Sequence, residues 1–391
     1  MSNNLKIIIF DGSFKTTPFV NRLAKGLAKK HTVYILGFNE QIVKKLPNVH
    51  YMGLGSNTNK WSFIKTSLKL AIKSGSLKML WQTIQNLSTG NRKALQQQNL
   101  NVAITQIQPD LIHLQWPSVI PWFETILSEQ KIPVVLSQRG YHINVRPFVN
   151  QKNYNYLQQW YPKIAGFHSV SNAISKKGDL IYNSSTKGNT IVYSGLPIQN
   201  FYFEPTFKNN NQLQIISIGR AHWIKGYGYA LLACKLLKVK GVNFHYTIVG
   251  VTNYEELTYL RASLNLENEV TFLDILPQEK VYELMQESQL LLLPSIEEGI
   301  ANVVLEAMVL GCPVISTNCG GMEELITHTK EGWLVTTRDP EAMAQEIMNF
   351  KKLPLEQIDT VRKNARAKIE QQFSEEQMVT GMEQLYYSVI D

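Results

Sequence analysis

The stretch that decides the fold is residues 290–326, which read LLLLPSIEEGIANVVLEAMVLGCPVISTNCGGMEELI. The apolar run Leu290–Leu293 predicts a buried strand, and the pattern after it predicts a helix from Asn302, placed as its N-cap, to Leu310. A glycine and a proline then end the helix, and the apolar run Pro313–Thr317 predicts the next strand. Strand, helix and strand in this order are typical of a parallel sheet covered by helices.

Loops at the carboxyl ends of adjacent parallel strands are where such proteins bind ligands. The helix that begins at Asn302 would present unpaired backbone N–H groups and the positive end of its dipole, which together suit a phosphate. Glu306 lies one turn into that helix, and its side chain leans back toward the N-terminus. Glu298 lies in the preceding loop. The two carboxylates therefore suit a ligand with a phosphate between two sets of hydroxyl groups, and a nucleotide sugar has that shape.

Length and composition indicate two globular domains. The chain has 391 residues, of which 44% are hydrophobic, so a full core is available to each half. Its three cysteines are odd in number and lie in or beside apolar segments, which favours reduced core or loop thiols over disulfides or metal ligands. The first apolar run is too short for a signal peptide, and no run is long enough to span a bilayer. We therefore expect a soluble or peripheral protein.

The first half of the chain shows its own α/β pattern. A strand at Ile7–Phe10, a helix at Pro18–Lys30 and a strand at Thr32–Leu36 form a β-α-β opening of the doubly wound type. Further apolar strands follow as far as a polar connection at residues 194–211, after which the pattern restarts with a strand at Leu213–Ile218. The connection marks the expected domain boundary.

Positive charge is concentrated in one segment of the first half. The chain has a net charge of +8, and residues 41–109 contain nine Lys or Arg residues but no Asp or Glu. Two helical stretches within residues 60–93 carry an apolar stripe with a lysine stripe beside it. The stripes consist of Trp61, Ile64, Leu68 and Ile72, and of Lys65, Lys69 and Lys73. The segment is either a surface helix packed on its own domain or an interfacial helix whose lysines meet an anionic membrane.

Two cations lie beside glycines in the second half. Gly219-Arg220 follows the strand at Leu213–Ile218, and Lys225-Gly226 precedes a predicted helix. Such cations would offset the charge of a diphosphate leaving group as its bond to a sugar breaks. The chain contains no Asp-x-Asp sequence that could anchor a divalent metal on the phosphates, so we expect a metal-independent transfer without a cofactor.

Several motifs of the second half together resemble one family. They are Ser217-Ile218-Gly219-Arg220, Lys225-Gly226, Pro294-Ser295, Glu298-Gly299, Glu306-Ala307-Met308, Gly311-Cys312-Pro313-Val314-Ile315 and Gly320-Gly321. In this order they resemble the retaining glycosyltransferases of family 4, which have the GT-B fold. The resemblance covers most of the second half and is looser in the first half, where it rests on residues 109–113 and Arg139-Gly140.

The resemblance implies an α/β protein in which two Rossmann-like doubly wound domains face each other across a cleft. Residues 1–195 are expected to form an N-terminal domain that binds the acceptor. Residues 196–365 are expected to form a C-terminal domain that binds the nucleotide-sugar donor. Residues 366–391 are expected to form a C-terminal helix that packs back on the N-terminal domain.

The resemblance also implies roles on the donor side. Arg220 and Lys225 would hold the diphosphate, and Glu306 would bind the ribose hydroxyls. Glu298 would orient and stabilise the donor sugar; with the two cations it makes up the catalytic set. Retention in this family is ascribed to attack from the face of the departing diphosphate, whose oxygen helps to take the acceptor proton. The expected donor-binding residues are Gly219, Arg220, Lys225, Glu298, Gly299, Ile300, Ala301, Asn302, Val303 and Glu306.

The first half departs from the family pattern in two loops. Many relatives carry a glycine pair where this chain has residues 11–14, DGSF, and many carry His-Gly where it has Arg139-Gly140. Either Arg139 takes over a role near the sugar and phosphate, or His113 or His142 supplies the imidazole. The acceptor-side candidates are therefore Gly12, Ser13, His113, Arg139, Gly140 and His142.

These features predict a retaining glycosyltransferase that moves a sugar from a nucleotide diphosphate sugar to a saccharide or lipid-linked saccharide. We expect it to work in cell-surface polysaccharide or glycan synthesis, in the cytoplasm or on the inner face of the membrane, without nucleic acid. A nucleotide-sugar epimerase or a phosphorylase on the same fold is an alternative. A non-catalytic protein that binds sugar nucleotides or polyanions is a third.

Overall fold

The computed structural model describes residues 4–38, 45–203, 206–207 and 210–390. Residues 41–44 of the acid-free segment, and residues 204–205 and 208–209 of the polar connection, lie outside the described part of the chain. The chain divides into two compact units. The first contains the described residues of 1–170, 175–192 and 375–391, and the second contains those of 171–174 and 193–374.

Seven parallel strands form the sheet of the first unit. They are β1 (Lys6–Gly12), β2 (Thr32–Gly37), β3 (Val49–Gly53), β4 (Leu111–Leu114), β5 (Val134–Gln138), β6 (Gly166–Ser169) and β7 (Asn189–Ile191). Their order in the sheet is β3-β2-β1-β4-β5-β6-β7, and all six pairings are parallel. The central strands are buried on both faces, which is why their sequences are runs of apolar residues without alternation.

The helices of the first half precede residue 180. They are α1 (Pro18–Leu27), α2 (Lys60–Lys73), α3 (Leu77–Ser88), α4 (Arg92–Ile107), α5 (Glu124–Glu129), α6 (Tyr141–Asn144), α7 (Arg146–Val149), α8 (Gln151–Trp160) and α9 (Asn172–Asp179). The last helix of the chain, α17 (Glu375–Ile390), also belongs to the first unit. It packs against α1, where Met382 and Leu385 share a core with Leu23 and Leu27.

Six parallel strands form the sheet of the second unit, in the order β10-β9-β8-β11-β12-β13. The strands are β8 (Leu213–Ile218), β9 (Phe244–Val249), β10 (Val270–Leu273), β11 (Leu290–Leu293), β12 (Val314–Thr317) and β13 (Trp333–Val335). The helices are α10 (Tyr227–Val239), α11 (Glu255–Ser263), α12 (Gln278–Glu287), α13 (Asn302–Leu310), α14 (Met322–Leu325), α15 (Pro340–Lys351) and α16 (Leu355–Gln372). The predicted strands and the helix of residues 290–326 are thus confirmed.

Both sheets have a doubly wound order with a point at which the chain reverses direction across the sheet. In the first sheet β1 lies between β2 and β4, and in the second sheet β8 lies between β9 and β11. Loops that diverge at such a point leave a crevice at the carboxyl edge, which is the usual ligand site of these folds. The loops after β8 and β11 are those that carry the predicted donor residues.

The returning C-terminal segment is shorter than predicted. The sequence assigned residues 366–391 to it, but α16 remains in the second unit to its end. Its apolar side chains Ala365 and Ile369, and Phe373 just after it, belong to the core around α13 and β11. Because these side chains are buried there, the change of unit comes at residue 375.

The two helices of the basic segment form as predicted, but their apolar stripe does not face the core. Trp61 and Ile72 are 74% and 67% exposed, and Ile64 and Leu68 are only half-buried. The buried side of α2 consists instead of Phe63, Ser67, Leu70 and Ala71. Polar contacts help to set this rotation, because Ser67 Oγ accepts a 2.9 Å hydrogen bond from Asn99 on α4. No described helix is both long and apolar enough to cross a bilayer.

Candidate active site

A hydrogen bond joins the loops after β8 and β11, the two neighbouring strands at which the strand order of the second sheet reverses. The Ile296 N–H donates to the Ile224 carbonyl over 2.7 Å. Gly226 has φ +66°, and a Cβ at this position would lie 2.0 Å from the Pro294 carbonyl oxygen. Only glycine allows this approach, so the Lys225-Gly226 motif fixes the two loops side by side. The arrangement places Lys225 next to the loop that carries Glu298.

Lys225 and Glu298 form an ion pair. The Nζ–Oε1 distance is 2.6 Å, and the side chains are 21% and 15% exposed. The Ser295 hydroxyl donates a second hydrogen bond, of 2.9 Å, to the same carboxylate oxygen. The backbone of Ser295 is itself held by a hydrogen bond from Thr317 at the end of β12. The charged pair is therefore fixed on rigid strand ends, where it can meet the charges and hydroxyl groups of a ligand.

The Gly320-Gly321 turn supports the Glu298 loop from the other side. The Gly321 N–H donates to the Gly299 carbonyl over 2.8 Å. A Cβ on Gly320, which has φ +55°, would lie 1.8 Å from the Glu298 carbonyl oxygen. This contact gives a physical reason for the glycine pair after β12.

Helix α13 begins behind this loop with an end that no side chain caps. The N-cap is Ala301 and not Asn302, because the Ala301 carbonyl accepts the first helical hydrogen bonds, from Val304 and Leu305. Asn302 is the first helical residue, and its buried Oδ1 has no hydrogen-bond partner among the described atoms. An uncapped helix N-terminus with its positive dipole end is a ready site for an anion.

Glu306 lies one turn into α13, as predicted. Its Oε1 accepts a 3.3 Å hydrogen bond from Gln278 at the start of α12. Gln278 was not predicted as a site residue, and nothing in its local sequence distinguishes it from other helix-starting glutamines. The hydrogen bond from α12 thus holds the Glu306 carboxylate near the N-terminal end of α13.

Two cations lie in the loop after β8 at this edge of the second sheet. Arg220 is exposed after β8, while Lys225 is largely buried. The pKa of His222, between them in the chain, is lowered by burial and further by Arg220 and Lys225. His222 was not predicted as a site residue, although its position in the sequence between Arg220 and Lys225 could have indicated it. Lys225, held by its ion pair with Glu298, and the exposed Arg220 are cations of the kind that suits a diphosphate.

Among the first-unit candidates, His113 lies in the core. Its Nε2 is 2.8 Å from Ser137 Oγ, and its Nδ1 is 2.7 Å from the Tyr386 hydroxyl of α17. Ser137 Oγ lies 2.8 Å from His168 Nδ1 on the next strand. Burial lowers the pKa of His113 well below its usual value and that of His168 to about 3. Both imidazoles are therefore neutral at pH 7 and link strands to α17.

The other first-unit candidates lie at the carboxyl edge of their sheet. The guanidinium of Arg139 lies 4.3 Å from the centre of the Phe19 ring at the start of α1. His142 stacks obliquely on Trp116 with ring centres 5.5 Å apart. The remaining candidates are Gly12 at the end of β1, Ser13 directly after it, and Gly140 next to Arg139. Their role toward an acceptor stays a prediction.

The described residues contain no group of three or more His, Cys, Asp or Glu side chains with the arrangement of a metal site. The three cysteines are buried and unpaired, and burial raises the pKa of Cys312 and of Cys319 to about 12. These thiols stay protonated in the core at neutral pH.

Part of the second unit is similar in sequence to known proteins. Residues 198–368 match the sequence profile of Glycosyl transferases group 1. The chain is 34% identical over 189 residues to the putative colanic acid biosynthesis glycosyltransferase WcaL of Escherichia coli, covering 46% of this chain and 47% of that protein. It is 35% identical over 170 residues to the amylovoran biosynthesis glycosyltransferase AmsK of Erwinia amylovora, covering 42% of each. The matched regions thus span less than half the length of these curated relatives.

Solved structures share the fold along nearly the whole chain. Anabaena Alr3699/HepE in complex with UDP and glucose superimposes with a TM-score of 0.69 at 19% identity, covering 97% of this chain and 98% of that one. Sucrose-phosphate synthase from Thermosynechococcus elongatus superimposes with a TM-score of 0.78 at 15% identity, covering 98% of both chains. At these identities the likeness establishes the fold alone. Residues 198–368 thus carry a glycosyl transferases group 1 match, and the two parallel sheets have the GT-B fold predicted from the sequence.

Proposed function

We propose that this protein is a retaining glycosyltransferase of family 4 that transfers a sugar from a nucleotide diphosphate sugar to a saccharide or lipid-linked saccharide. The observation that carries the proposal is the Lys225–Glu298 pair beside the uncapped start of α13, with Glu306 one turn further on. These groups offer a cation, backbone N–H donors and carboxylate acceptors of the kinds that the diphosphate and the hydroxyls of such a donor need. The sequence match over residues 198–368 supports the same conclusion.

Each group of the site has a distinct task in this proposal. Lys225 and Arg220 neutralise the diphosphate and stabilise the charge that develops on it as the glycosidic bond breaks. The N–H groups at the start of α13 bind the phosphate, and Glu306 accepts hydrogen bonds from the ribose hydroxyls. Glu298 exchanges part of its contact with Lys225 for the hydroxyls of the donor sugar. The leaving phosphate oxygen takes the proton of the acceptor hydroxyl, which approaches from the same face.

The proposal includes a metal-independent reaction with no cofactor, because fixed cations and a helix end supply the positive charge that the diphosphate needs. For the nucleotide we propose uridine diphosphate, since a protein of the same fold was solved with UDP and glucose. Relatives named for colanic acid, amylovoran and capsular polysaccharide biosynthesis favour a role in cell-surface polysaccharide synthesis. We place that role in the cytoplasm, at the inner face of the membrane.

Membrane contact would be made by the hairpin of α2 and α3. Its outer surface presents large apolar side chains that are more than half exposed: Trp61, Ile72, Leu77, Trp81 and Ile84. Exposed lysines lie among them: Lys60, Lys65, Lys69, Lys73 and Lys78. A surface that mixes tryptophan, isoleucine and leucine with lysine, in a segment without acidic residues, is complementary to an anionic bilayer. Each lysine near such a surface contributes about 1 kcal/mol.

The enzymatic proposal is tested with purified protein and a set of nucleotide diphosphate sugars. A thermal-shift screen first finds the nucleotide, because a bound ligand raises the melting temperature by mass action. NMR of the product then reports the anomeric configuration, with and without EDTA. Retention of the donor's configuration, unaffected by EDTA, is expected, and an inverted product or an EDTA-sensitive rate would contradict it.

The same assay separates the alternatives. An epimerase would convert the nucleotide sugar without any acceptor, and a phosphorylase would require inorganic phosphate for turnover. A polyanion-binding protein would bind unrelated anions equally tightly, with salt as the only influence, and would turn over no donor. Transfer that depends on a saccharide acceptor is the result that supports a glycosyltransferase.

A further inference from the structure

The second unit contains a cavity of about 420 Å³ where α10 and α11 begin. Its volume falls within the range of small-molecule sites, about 300–1,000 Å³. Tyr227, at the start of α10, lines the cavity and belongs to one core of the second sheet, whereas Val304 of α13 belongs to the other core. Alternate residues of β11 point into these two cores, so the cores lie on opposite faces of the sheet. The cavity is therefore a separate space from the start of α13, where we propose that the donor phosphate binds.

Aromatic side chains form much of the cavity wall. They are His222, Trp223, Tyr227, Tyr229 and Tyr254. Trp223 is 52% exposed, although tryptophan usually buries most of its surface. Its ring centre lies 5.8 Å from that of His222, with the ring planes tilted by 32°. Because the face of an aromatic ring carries partial negative charge, it attracts the C–H groups of a ligand.

Two exposed side chains of opposite charge also line the cavity. Glu256 lies in the first turn of α11, and Arg338 lies between β13 and α15. Neither forms an ion pair or a side-chain hydrogen bond with another described residue. One carboxylate and one guanidinium cancel in charge, so the wall favours an uncharged ligand over an ion. Hydroxyl groups suit both side chains, because they can donate to the carboxylate and accept from the guanidinium.

The backbone fixes the position of Arg338. This residue has φ +64°, in the left-handed region that residues other than glycine rarely adopt. On one side of it the Thr337 N–H donates to Asn318 Oδ1 over 3.2 Å. On the other side Asp339 caps α15 by accepting a 2.8 Å hydrogen bond from the Ala342 N–H. Left-handed backbone at such residues is concentrated at ligand sites, which agrees with a binding role for this cavity.

The opposite wall is also preformed. The Tyr227 hydroxyl donates to the Gly219 carbonyl over 3.0 Å, which holds the ring in place. His222 Nδ1 accepts a 3.3 Å hydrogen bond from the Ile224 N–H. The Ile224 carbonyl in turn accepts from Ile296, which also lines the cavity. A ligand would thus order few side chains of this wall on binding, which lowers the entropic cost.

We propose that this cavity is a second binding site of the protein, separate from the donor site, and that it binds an uncharged saccharide. A sugar ring lays its C–H face on the exposed Trp223 ring. Its hydroxyl groups donate to Glu256 and accept from Arg338 in charge-assisted hydrogen bonds. The site holds a saccharide beside the loop that carries Lys225, and saccharide binding there does not depend on the proposed reaction.

The test measures the binding of glucose, galactose and N-acetylglucosamine to the full-length protein by NMR titration without nucleotide. We expect at least one of these neutral sugars to bind saturably, and its dissociation constant then serves as the reference for the variants. Failure of all three sugars to bind would overturn the proposal.

Three cavity variants decide where the sugar binds. Trp223→Ala removes the ring face and Glu256→Ala removes a charged acceptor, so each should weaken binding by about tenfold. Arg338→Gly should have a similar effect, and glycine adopts the left-handed backbone of this position without strain. The matched control is Tyr259→Ala, since Tyr259 is a 74% exposed aromatic residue of α11 that does not line the cavity. This control should bind the sugar as the wild type does.

Glu298→Gln distinguishes the cavity from the donor site. We expect this variant to retain sugar binding, because Glu298 does not line the cavity. If Trp223→Ala fails to fold, the two variants of the exposed charged residues give the same decision. Binding that is lost in Glu298→Gln and unchanged in the folded cavity variants would place the sugar in the donor site and overturn the proposal.

Discussion

The ion pair between Lys225 and Glu298 gives the sharpest prediction. The change Lys225→Ala removes a cation that lies 2.6 Å from the Glu298 carboxylate and that we propose to offset the donor diphosphate. Glu298 keeps the hydrogen bond from Ser295 in the variant. We therefore expect a large loss of turnover with a small loss of stability.

The loss of stability and the loss of turnover are estimated separately, because stability depends on a partly solvated ion pair and turnover depends on the charge that develops in the reaction. The pair is still partly solvated, at 21% and 15% exposure, so its removal lowers the free energy of unfolding by about 1 kcal/mol or less. In the reaction a fixed group that stabilises developing charge contributes about 2.7–4 kcal/mol, which corresponds to a kcat lower by about 10²–10³. Loss of a charge-assisted hydrogen bond in the ground state raises the donor KM by about tenfold.

The assay compares this variant with a matched control in the same unit. Lys238 pairs with Glu269 at 2.9 Å, with side chains that are 35% and 22% exposed, and neither belongs to the candidate site. Lys238→Ala removes an ion pair of the same kind, so its effect on unfolding in urea is expected to be similar. Steady-state kinetics with saturating acceptor should show wild-type kcat and KM for this control.

One result would refute the reasoning behind Lys225. A kcat within about threefold of wild type, in a variant whose unfolding free energy fell by the expected amount, would mean that the cation does not act on the transition state. The diphosphate would then need another source of positive charge. An equal loss of activity in Lys238→Ala would instead show that the kinetics report stability.

Three further changes have distinct expected outcomes. Gly320→Ala places a Cβ against the Glu298 carbonyl, so it should destabilise the protein by about 3 kcal/mol or more and abolish transfer. The control Gly75→Ala, at φ +67° with open space around it, should cost only about 1–2 kcal/mol, and equal melting temperatures of the two variants would contradict this. Burial raises the pKa of Asp11 from 3.8 to about 6. Between about pH 4 and 6 the folded protein therefore still holds a proton that the unfolded chain has already lost, so the free energy of unfolding falls as pH rises through this window. Asp11→Asn should remove that slope and raise the unfolding free energy at pH 7 by about 1–2 kcal/mol, measured by urea unfolding at pH 4.5 and 7; an unchanged slope would speak against it. Changing Lys65, Lys69 and Lys73 together to Glu should abolish flotation with anionic liposomes, and a parent protein that fails to float would end the membrane proposal.

The fold was predictable because its signals are local. The run Leu290–Leu293 and the helix Asn302–Leu310 follow from apolar periodicity and from the glycine and proline that end the helix, and both have the expected bounds. The end of the second unit was not predictable in the same way. Two amphipathic helices follow one another around Phe373, and their periodicity does not tell which core buries each of them.

The candidate site was predictable as a set of residue types but not as a set of contacts. The pairing of Lys225 with Glu298 joins residues 73 positions apart and depends on two glycine-tight loops that only the folded sheet brings together. His113 was a candidate because it could supply the imidazole that many relatives carry at the position of Arg139. Its strand is buried on both faces, so the sequence had no alternation to show that this side chain points into the core.

The buried chain of hydrogen bonds through Ser137 has only one possible direction. It ends where His168 Nε2 lies 2.9 Å from the Val192 carbonyl, and a carbonyl can only accept. His168 Nδ1 must then accept from the Ser137 hydroxyl, which in turn accepts from His113 Nε2, so that His113 Nδ1 accepts from Tyr386. One backbone carbonyl thus fixes the tautomers of two histidines and the rotation of two hydroxyls across three strands. A proton added to His113 Nδ1 would take away the acceptor of the Tyr386 hydroxyl, which would then have to turn and accept instead of donate.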